Sequence, residues 1–148
     1  MTALIPVVVA GALGRMGAEV IRAVQGAEDC TLVGAIDNTP GKEGCDVGLE
    51  LGLGELEVAV TADFEGCLCA VSQSVRDAEA GAVLVDFTHP SVVYDHTRAS
   101  IAYGVHPVIG TTGLSPQQLD DLTQFSAKAS IGGAVIPNFS VGMVLLQQ

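Results

Sequence analysis

Positive charge is scarce in this chain of 148 residues. Lys and Arg number 6 against 17 Asp and Glu, which gives a formal net charge of −11. A surface of that sign repels nucleic-acid phosphates and anionic membranes, so we expect neither as a partner. An anionic ligand would have to be held locally, by oriented backbone N–H groups and a few well-placed cations.

Long apolar runs and a basic leader segment are also missing. No stretch approaches the roughly 18 apolar residues that a membrane span requires, so we expect a cytoplasmic protein. The cysteines Cys30, Cys45, Cys67 and Cys69 form no C-x-x-C pair, and no histidine stands at ligand spacing to them. We therefore predict reduced thiols and no metal site.

What the sequence does contain is typical of one globular domain. Hydrophobic residues make up 49% of the chain, and they occur in short runs rich in Val, Ile and Leu. A chain of this length buries roughly 70% of its unfolded surface, enough for a core without disulfides. We predict one domain over residues 1–140, followed at 141–148 by the start of a helix that leads to a further domain.

The apolar runs alternate with segments of helical periodicity. Predicted strands cover residues 5–10, 31–36, 58–60, 82–87, 108–110 and 134–136. Predicted helices cover 14–25 and 91–103, and residues 64–81 are predicted to form one broken helix. A further helix begins with Ser115 as N-cap and Pro116 as its first residue. Residues 38–57 are predicted to be irregular, with at most a helical turn. This alternation predicts an α/β fold with a doubly wound parallel sheet of the Rossmann type.

A glycine-rich turn joins the first predicted strand to the first helix. Its sequence from Gly11 to Gly17 has the spacing G-x-x-G-x-x-G, and Asp37 ends the second strand 20 residues later. In dinucleotide-binding domains such a turn brings the backbone and a helix N-terminus to the pyrophosphate, while the acidic residue binds the adenosine ribose. The pair of signals predicts a nicotinamide dinucleotide site.

Three later segments follow predicted strands, at the sheet edge where α/β proteins bind ligands. They are Asp86-Phe87-Thr88-His89-Pro90, Gly110-Thr111-Thr112-Gly113 and the final Pro137-Asn138-Phe139-Ser140-Val141-Gly142. With the glycine turn, these motifs in this order resemble those of the 4-hydroxy-tetrahydrodipicolinate reductase family, long called dihydrodipicolinate reductases. The resemblance covers nearly the whole chain.

The resemblance implies NADPH or NADH as cofactor and the reduction of a cyclic dicarboxylate in lysine and diaminopimelate biosynthesis. It implies that Gly11, Ala12, Leu13, Gly14, Arg15 and Met16 hold the pyrophosphate and that Asp37 holds the ribose. It further implies that Phe87 and Thr88 lie beside the cofactor, and that the nicotinamide is framed by Gly110, Thr111, Thr112, Ile136, Pro137, Asn138 and Phe139.

Two departures from the family pattern affect the interpretation. Some members carry an arginine directly after the ribose-binding acid, where this chain has Asn38, so Arg15, or else Lys42, would have to meet the 2′-phosphate of NADPH. The family's proton-donating His and Lys lie in a second domain, within an E-A-H-H-x-x-K motif that has no match here. We therefore expect no catalytic residue in this chain and structural roles for His89, His96 and His106.

Other readings are a stand-alone nucleotide-binding module and the cofactor domain of a different two-domain dehydrogenase. In the reading we favour, the chain is the cofactor half of the reductase and is inactive alone, and the dicarboxylate binds through the missing domain. We also expect the full-length protein to form a homo-oligomer and this chain to self-associate through residues 141–148, whose apolar side chains lack a partner domain.

Overall fold

The computed structural model describes residues 3–77 and 80–136, which alternate between strands and helices. In chain order the elements are β1 (Ile5–Ala10), α1 (Arg15–Gly26), β2 (Cys30–Ile36), α2 (Val47–Glu50), β3 (Val60–Thr61), α3 (Phe64–Ser74), β4 (Val83–Asp86), α4 (Val93–Ala102), β5 (His106–Ile109), α5 (Pro116–Ala129) and β6 (Ala134–Val135). Some predictions concern residues outside this described part: the site residues Pro137, Asn138 and Phe139, and the helix at 141–148.

The six strands form one sheet in the order β3-β2-β1-β4-β5-β6, and each neighbouring pair is parallel. The order reverses next to β1, because the chain first builds outward to β3 and then crosses back to β4. In an open α/β sheet this reversal opens a crevice at the carboxyl ends of the strands. The predicted doubly wound fold is confirmed.

Strand β1 is the centre of two apolar layers. Val7 and Val9 face a cluster that contains Ile21 of α1, whereas Val8 packs on the other side in a cluster that contains Leu68 of α3. Side chains of a strand alternate between the two faces of a sheet, so a strand covered on both faces is apolar throughout. This is why β1 has no polar position between Val7 and Ala10.

The predicted element boundaries agree with the structure to within two residues except in two places. Helix α3 ends at Ser74 and not at residue 81. There the Ser74 hydroxyl donates to the carbonyl oxygen of Val71 at 2.8 Å, and the Val75 N–H also turns back to that carbonyl. A serine that bonds the backbone in this way competes with continuation of the helix.

The second difference concerns the predicted strand at 58–60. Its residues first pair antiparallel with the segment before α2, through an isolated bridge between Asp46 and Ala59, and the chain joins the sheet only at β3. The carboxylate of Asp46 holds this connection together, because it accepts hydrogen bonds from the backbone N–H groups of Leu49, Leu56 and Val58. These hydrogen bonds lower the pKa of Asp46, and the bond from the Leu56 N–H has the largest effect.

The predicted start of the helix at Ser115 is confirmed. Helix α5 starts with Ser115 as N-cap, and its capping box is complete: the Ser115 hydroxyl accepts from the Gln118 N–H at 3.1 Å, and the Gln118 side chain accepts from the Ser115 N–H at 2.9 Å. The four cysteines are free thiols, and burial raises the pKa of the Cys67 thiol.

Within the described residues, no helix is long and apolar enough to cross a membrane.

The packing of α1 on β1 predicts a large effect of shortening Ile21, which is fully buried. We expect Ile21→Ala to lower the free energy of unfolding by about 2–5 kcal/mol, because it removes buried methyl and methylene groups and leaves a cavity. Urea denaturation measures this value. Leu49→Ala is the control, since the Leu49 side chain is 62% exposed, and its effect should stay within about 0.5 kcal/mol. Equal effects of the two substitutions would contradict the assignment of the core.

Candidate functional site

The glycine turn connects β1 to α1 through a close approach of backbones. Gly11 has a φ of +80°, and a Cβ at this residue would lie 2.5 Å from the carbonyl oxygen of Phe87. A Cβ at Gly17 would overlap the carbonyl oxygen of Gly11. A side chain at Gly17 would therefore push α1 away from the turn, and one at Gly11 would push the turn away from the end of β4. Both positions need glycine for this reason.

The turn leaves the N-terminus of α1 without a side-chain cap. Its N-cap residue, Gly14, makes no side-chain hydrogen bond, whereas Asp46, Asp63 and Ser115 cap α2, α3 and α5. The first N–H groups of a helix have no partner inside the helix and carry partial positive charge. An uncapped, solvent-accessible helix start above a glycine turn is a suitable place for a phosphate group.

Asp37 ties the end of β2 to this turn. Its Oδ2 accepts a hydrogen bond from the backbone N–H of Leu13 at 2.9 Å, and its Oδ1 accepts from the N–H and hydroxyl of Thr39 at 2.9 and 2.5 Å. Each carboxylate oxygen offers about two acceptor positions, so Oδ2 can accept another hydrogen bond beside the one from Leu13. The carboxylate thus stands next to the uncapped helix start.

A cavity of about 570 Å³ opens between the turn, the ends of β2 and β3, and the start of α4. It is lined by Gly11, Gly14, Ile36, Asp37, Asn38, Ala62, Phe64, Phe87, Thr88, His89, Ser91, Val92 and His96. The structure therefore brings together Gly11, Gly14, Asp37, Phe87 and Thr88, which the sequence assigned separately. This volume is in the usual range for small-molecule sites.

The other predicted residues of the turn contribute differently. Ala12 is buried in the core and Leu13 packs against it, so neither side chain lines the cavity. Leu13 contributes its backbone N–H, which donates to Asp37. Arg15 and Met16 are exposed at the start of α1. Arg15 takes part in none of the ion pairs within the described residues.

The predicted nicotinamide segment follows β5, the next strand along the sheet edge. Gly110 lies against the ring of Phe87, and the hydroxyl of buried Thr111 donates to the Asp86 carbonyl oxygen at 3.3 Å. Thr111 and exposed Thr112 line a separate cavity of about 370 Å³. The half-buried Ile136 continues the edge, since its N–H donates to the Ile109 carbonyl oxygen at 2.8 Å.

A buried polar cluster that we did not predict from the sequence lies behind the cavity. Asp86 is fully buried at the end of β4, and its Oδ1 accepts from the N–H and hydroxyl of Thr88 at 2.9 and 2.5 Å. Its Oδ2 lies 3.1 Å from Nδ1 of His96, whose ring stacks on Phe64. Of the three histidines that we expected to be structural, His89 and His96 therefore line the cavity, and His106 does not.

The sequence signal for this cluster was weak for a physical reason. Phe64 and His96 stand at the starts of different helices, and only the order of the strands in the sheet brings them into contact. The sequence contained one signal for it: Asp86 ends a predicted strand, and His96 follows ten residues later in a predicted helix. No group of side chains in the described residues could hold a metal ion.

The chain is similar to known proteins over nearly its whole length. The family model for the N-terminus of dihydrodipicolinate reductase matches residues 5–139. Two 4-hydroxy-tetrahydrodipicolinate reductases, from Synechococcus sp. (strain CC9605) and Parasynechococcus marenigrum (strain WH8102), are each 90% identical over 148 residues, which is 100% of this chain and 53% of theirs. The chain thus spans about half the length of these curated relatives.

A solved structure shows the same arrangement of strands and helices. The dipicolinate-bound dihydrodipicolinate reductase from Paenisporosarcina sp. TG-14 superimposes with a TM-score of 0.73 at 29% identity, over 97% of this chain and 51% of that one. The match of the family model over nearly the whole chain, together with these relatives, shows that the chain belongs to the dihydrodipicolinate reductase family, of which it matches the N-terminal part.

Proposed function

We propose that this chain binds NADH or NADPH, and that the full-length protein uses this cofactor to reduce 4-hydroxy-tetrahydrodipicolinate to tetrahydrodipicolinate in lysine and diaminopimelate biosynthesis. The observation that carries the proposal is the uncapped N-terminus of α1, which stands above the Gly11 turn and beside the Asp37 carboxylate. The reduced nicotinamide supplies the hydride when it is bound. The residues of this chain bind and orient the cofactor.

The pyrophosphate is assigned to the start of α1. The backbone from Gly11 to Met16 surrounds this position, where free N–H groups favour an anion even though the chain has a net charge of −11. Asp37 is assigned to the adenosine ribose, since a carboxylate at the end of the second strand accepts hydrogen bonds from the ribose hydroxyls. The cavity supports both assignments because Gly11, Gly14 and Asp37 all line it.

The nicotinamide is assigned to the end of β5, at the Gly110–Thr112 segment. Phe87 and Thr88, at the end of β4, are assigned to the side of the cofactor: both line the cavity, and Phe87 contacts Gly110. Ile136 extends the same edge. Pro137, Asn138 and Phe139 complete the proposed cofactor contacts and lie outside the described residues.

The substrate is assigned to the part of the protein beyond this chain. The solved relative with dipicolinate bound indicates a cyclic dicarboxylate as ligand of the full-length family members. A dianion is repelled by a chain with a net charge of −11, and no residue here matches the family's proton donors. We therefore assign residues 1–140 to cofactor binding, 141–148 to the helix that leads onward, and no catalytic residue to this chain.

The first test of cofactor binding is a substitution at Gly14. Its φ is −76°, and a Cβ there would lie 3.3 Å from the Gly11 carbonyl oxygen, so the fold accommodates a side chain with a small adjustment. We expect Gly14→Val to abolish NADH binding in calorimetric titration, because the side chain fills the space in front of the free N–H groups.

The matched control is Gly26→Val at the other end of α1, where a Cβ would meet no atom within 4 Å. This variant should bind NADH as the parent chain does. Thermal unfolding of both variants shows whether the fold is intact. Binding of NADH by folded Gly14→Val with the parent affinity would disprove the assignment of the pyrophosphate.

Arg15 is the cation that we assign to the 2′-phosphate of NADPH. The alternative, Lys42, lies 2.7 Å from Glu50, whose hydrogen bond and charge raise the pKa of the lysine. Its charge is therefore already compensated. We expect Arg15→Ala to weaken NADPH binding by about tenfold and to change NADH binding little, because a charge-assisted hydrogen bond contributes about 1.5–3 kcal/mol.

The control for Arg15→Ala is Arg22→Ala, which removes an exposed arginine from the same helix. Arg22 pairs with Glu19 at 2.7 Å, on the surface. Its loss should leave the ratio of NADPH to NADH affinity unchanged. A proportional loss of both affinities in Arg15→Ala would contradict the role of Arg15, since only NADPH carries the additional phosphate.

A further inference from the structure

The imidazole of His96 is held on the wall of the cavity by two contacts. Its ring stacks on Phe64 with a centroid distance of 3.8 Å and an angle of 9° between the ring planes. Its Nδ1 lies 3.1 Å from Oδ2 of Asp86 and 3.4 Å from the hydroxyl oxygen of Thr88. The stack fixes the plane of the ring, and the hydrogen bonds fix its rotation within that plane.

The hydrogen bonds of Asp86 assign the tautomer of His96. The carboxylate is fully buried, and its Oδ1 accepts from the N–H and hydroxyl of Thr88, with the hydroxyl of Thr111 at 3.4 Å. An ionised carboxylate only accepts hydrogen bonds, so Nδ1 of His96 donates to Oδ2. In the neutral imidazole the other nitrogen, Nε2, is then an acceptor, because the bond made by one ring nitrogen determines the state of the other.

The Nε2 atom is open to the cavity. It has no hydrogen-bond partner among residues 3–77 and 80–136. In the same part of the chain, every buried side-chain nitrogen or oxygen has a hydrogen-bond partner. Since Nε2 has none, it is not buried and is accessible. Since His96 lines the 570 Å³ cavity and its Nδ1 points to buried Asp86, the accessible edge of the ring is the one that carries Nε2.

The position of His96 corresponds to the adenosine half of the cofactor. Asp37, which is assigned to the ribose, and His96 line the same cavity, together with Ala62 and Phe64. Phe64 follows β3, which lies beyond β2 in the sheet. The predicted nicotinamide residues Gly110–Thr112 follow β5 on the other side of β1 and do not line this cavity. An adenine ring that follows the ribose therefore enters the space next to His96.

We propose that Nε2 of His96 accepts a hydrogen bond from the exocyclic amino group of adenine, and that this bond makes the site selective for adenine over hypoxanthine dinucleotides. The inference rests on the proposed cofactor binding. Adenine carries an N–H donor at its C6 position, where hypoxanthine carries a carbonyl oxygen. An acceptor on the protein forms a hydrogen bond with the amino group of adenine, but in hypoxanthine it faces the carbonyl oxygen, which is also an acceptor. A polar site discriminates well between two ligands when one of them leaves a group of the site unpaired.

The direct test compares NADH with reduced nicotinamide hypoxanthine dinucleotide, which differs from NADH in this group of the base. We expect the parent chain to bind NADH about five- to tenfold more tightly in calorimetric titration, as one hydrogen bond of this kind predicts. Equal affinity for the two dinucleotides would overturn the role of His96 and leave cofactor binding intact. Binding of neither would overturn the proposed function as well.

Two substitutions separate hydrogen bonding from packing. His96→Phe keeps an aromatic ring against Phe64 and removes both nitrogens, so the ratio of the two affinities should fall to about one. The matched control is His106→Phe, because His106 bonds Gly132 through Nδ1 at 2.9 Å and does not line the cavity. This control should keep the ratio of the parent chain, and a loss of selectivity in both variants would overturn the proposal.

Asp86→Asn tests the tautomer without changing the cavity wall. The amide oxygen must take the place of Oδ1, which accepts from the Thr88 N–H, so the amide NH₂ faces His96. Nδ1 then accepts, Nε2 carries the proton, and the preference should shift toward hypoxanthine, with an affinity ratio of one or below. A ratio equal to that of the parent chain in this folded variant would overturn the tautomer assignment, and this test does not depend on the folding of His96→Phe.

Discussion

The close packing of α1 on the end of β1 is the contact on which the whole site depends. Because Gly17 has no side chain, the first turn of the helix lies directly on the backbone of Gly11. Gly11 in turn lies against the backbone of Phe87, at the end of the neighbouring strand. Two glycines thus set the position of a helix start relative to β1 and β4, and the cavity is the space that this arrangement leaves open.

This arrangement also explains how a strongly acidic chain can hold an anion. The chain carries 17 acidic and 6 basic residues, and several basic side chains are already paired: Arg22 with Glu19, Lys42 with Glu50 and Arg98 with Asp121. The proposed pyrophosphate site therefore relies mainly on the backbone N–H groups at the start of α1, and on Arg15 only through its proposed contact with a 2′-phosphate. Their effect falls off within one helical turn, so it acts on a ligand in the cavity and not on distant anions.

The sequence predicted the parts of the site whose cause is local. Gly11, Gly14 and Asp37 could be assigned because a tight turn, a helix start and a strand end each leave a signature within a few residues. Helix α5 was predicted correctly down to its N-cap for the same reason. The end of α3 was missed, since the hydrogen bond from Ser74 to the backbone of Val71 depends on a side-chain rotamer that residue types do not reveal.

The cluster behind the cavity could not be predicted because its cause is the order of the strands. In the sequence, nothing distinguishes His96 from the other residues of an amphipathic helix, and its partners Phe64 and Asp86 belong to two other elements. They meet only because β4 returns to the centre of the sheet next to β1 and brings α4 against the start of α3. The contact between the buried carboxylate and a histidine on the cavity wall becomes visible only once the fold is known.

The central claim is that the dinucleotide lies along the carboxyl edge of the sheet, and a crystal structure of the chain with NADH tests it most directly. The account predicts density for the pyrophosphate at the N-terminus of α1, for the ribose beside Asp37, and for the adenine next to His96. Another cavity of about 330 Å³, whose lining contains no charged side chain, lies between α4, α5 and the last strands, at residues such as Ile101 and Leu122. Density for the cofactor in that cavity, with the α1 site empty, would contradict the account.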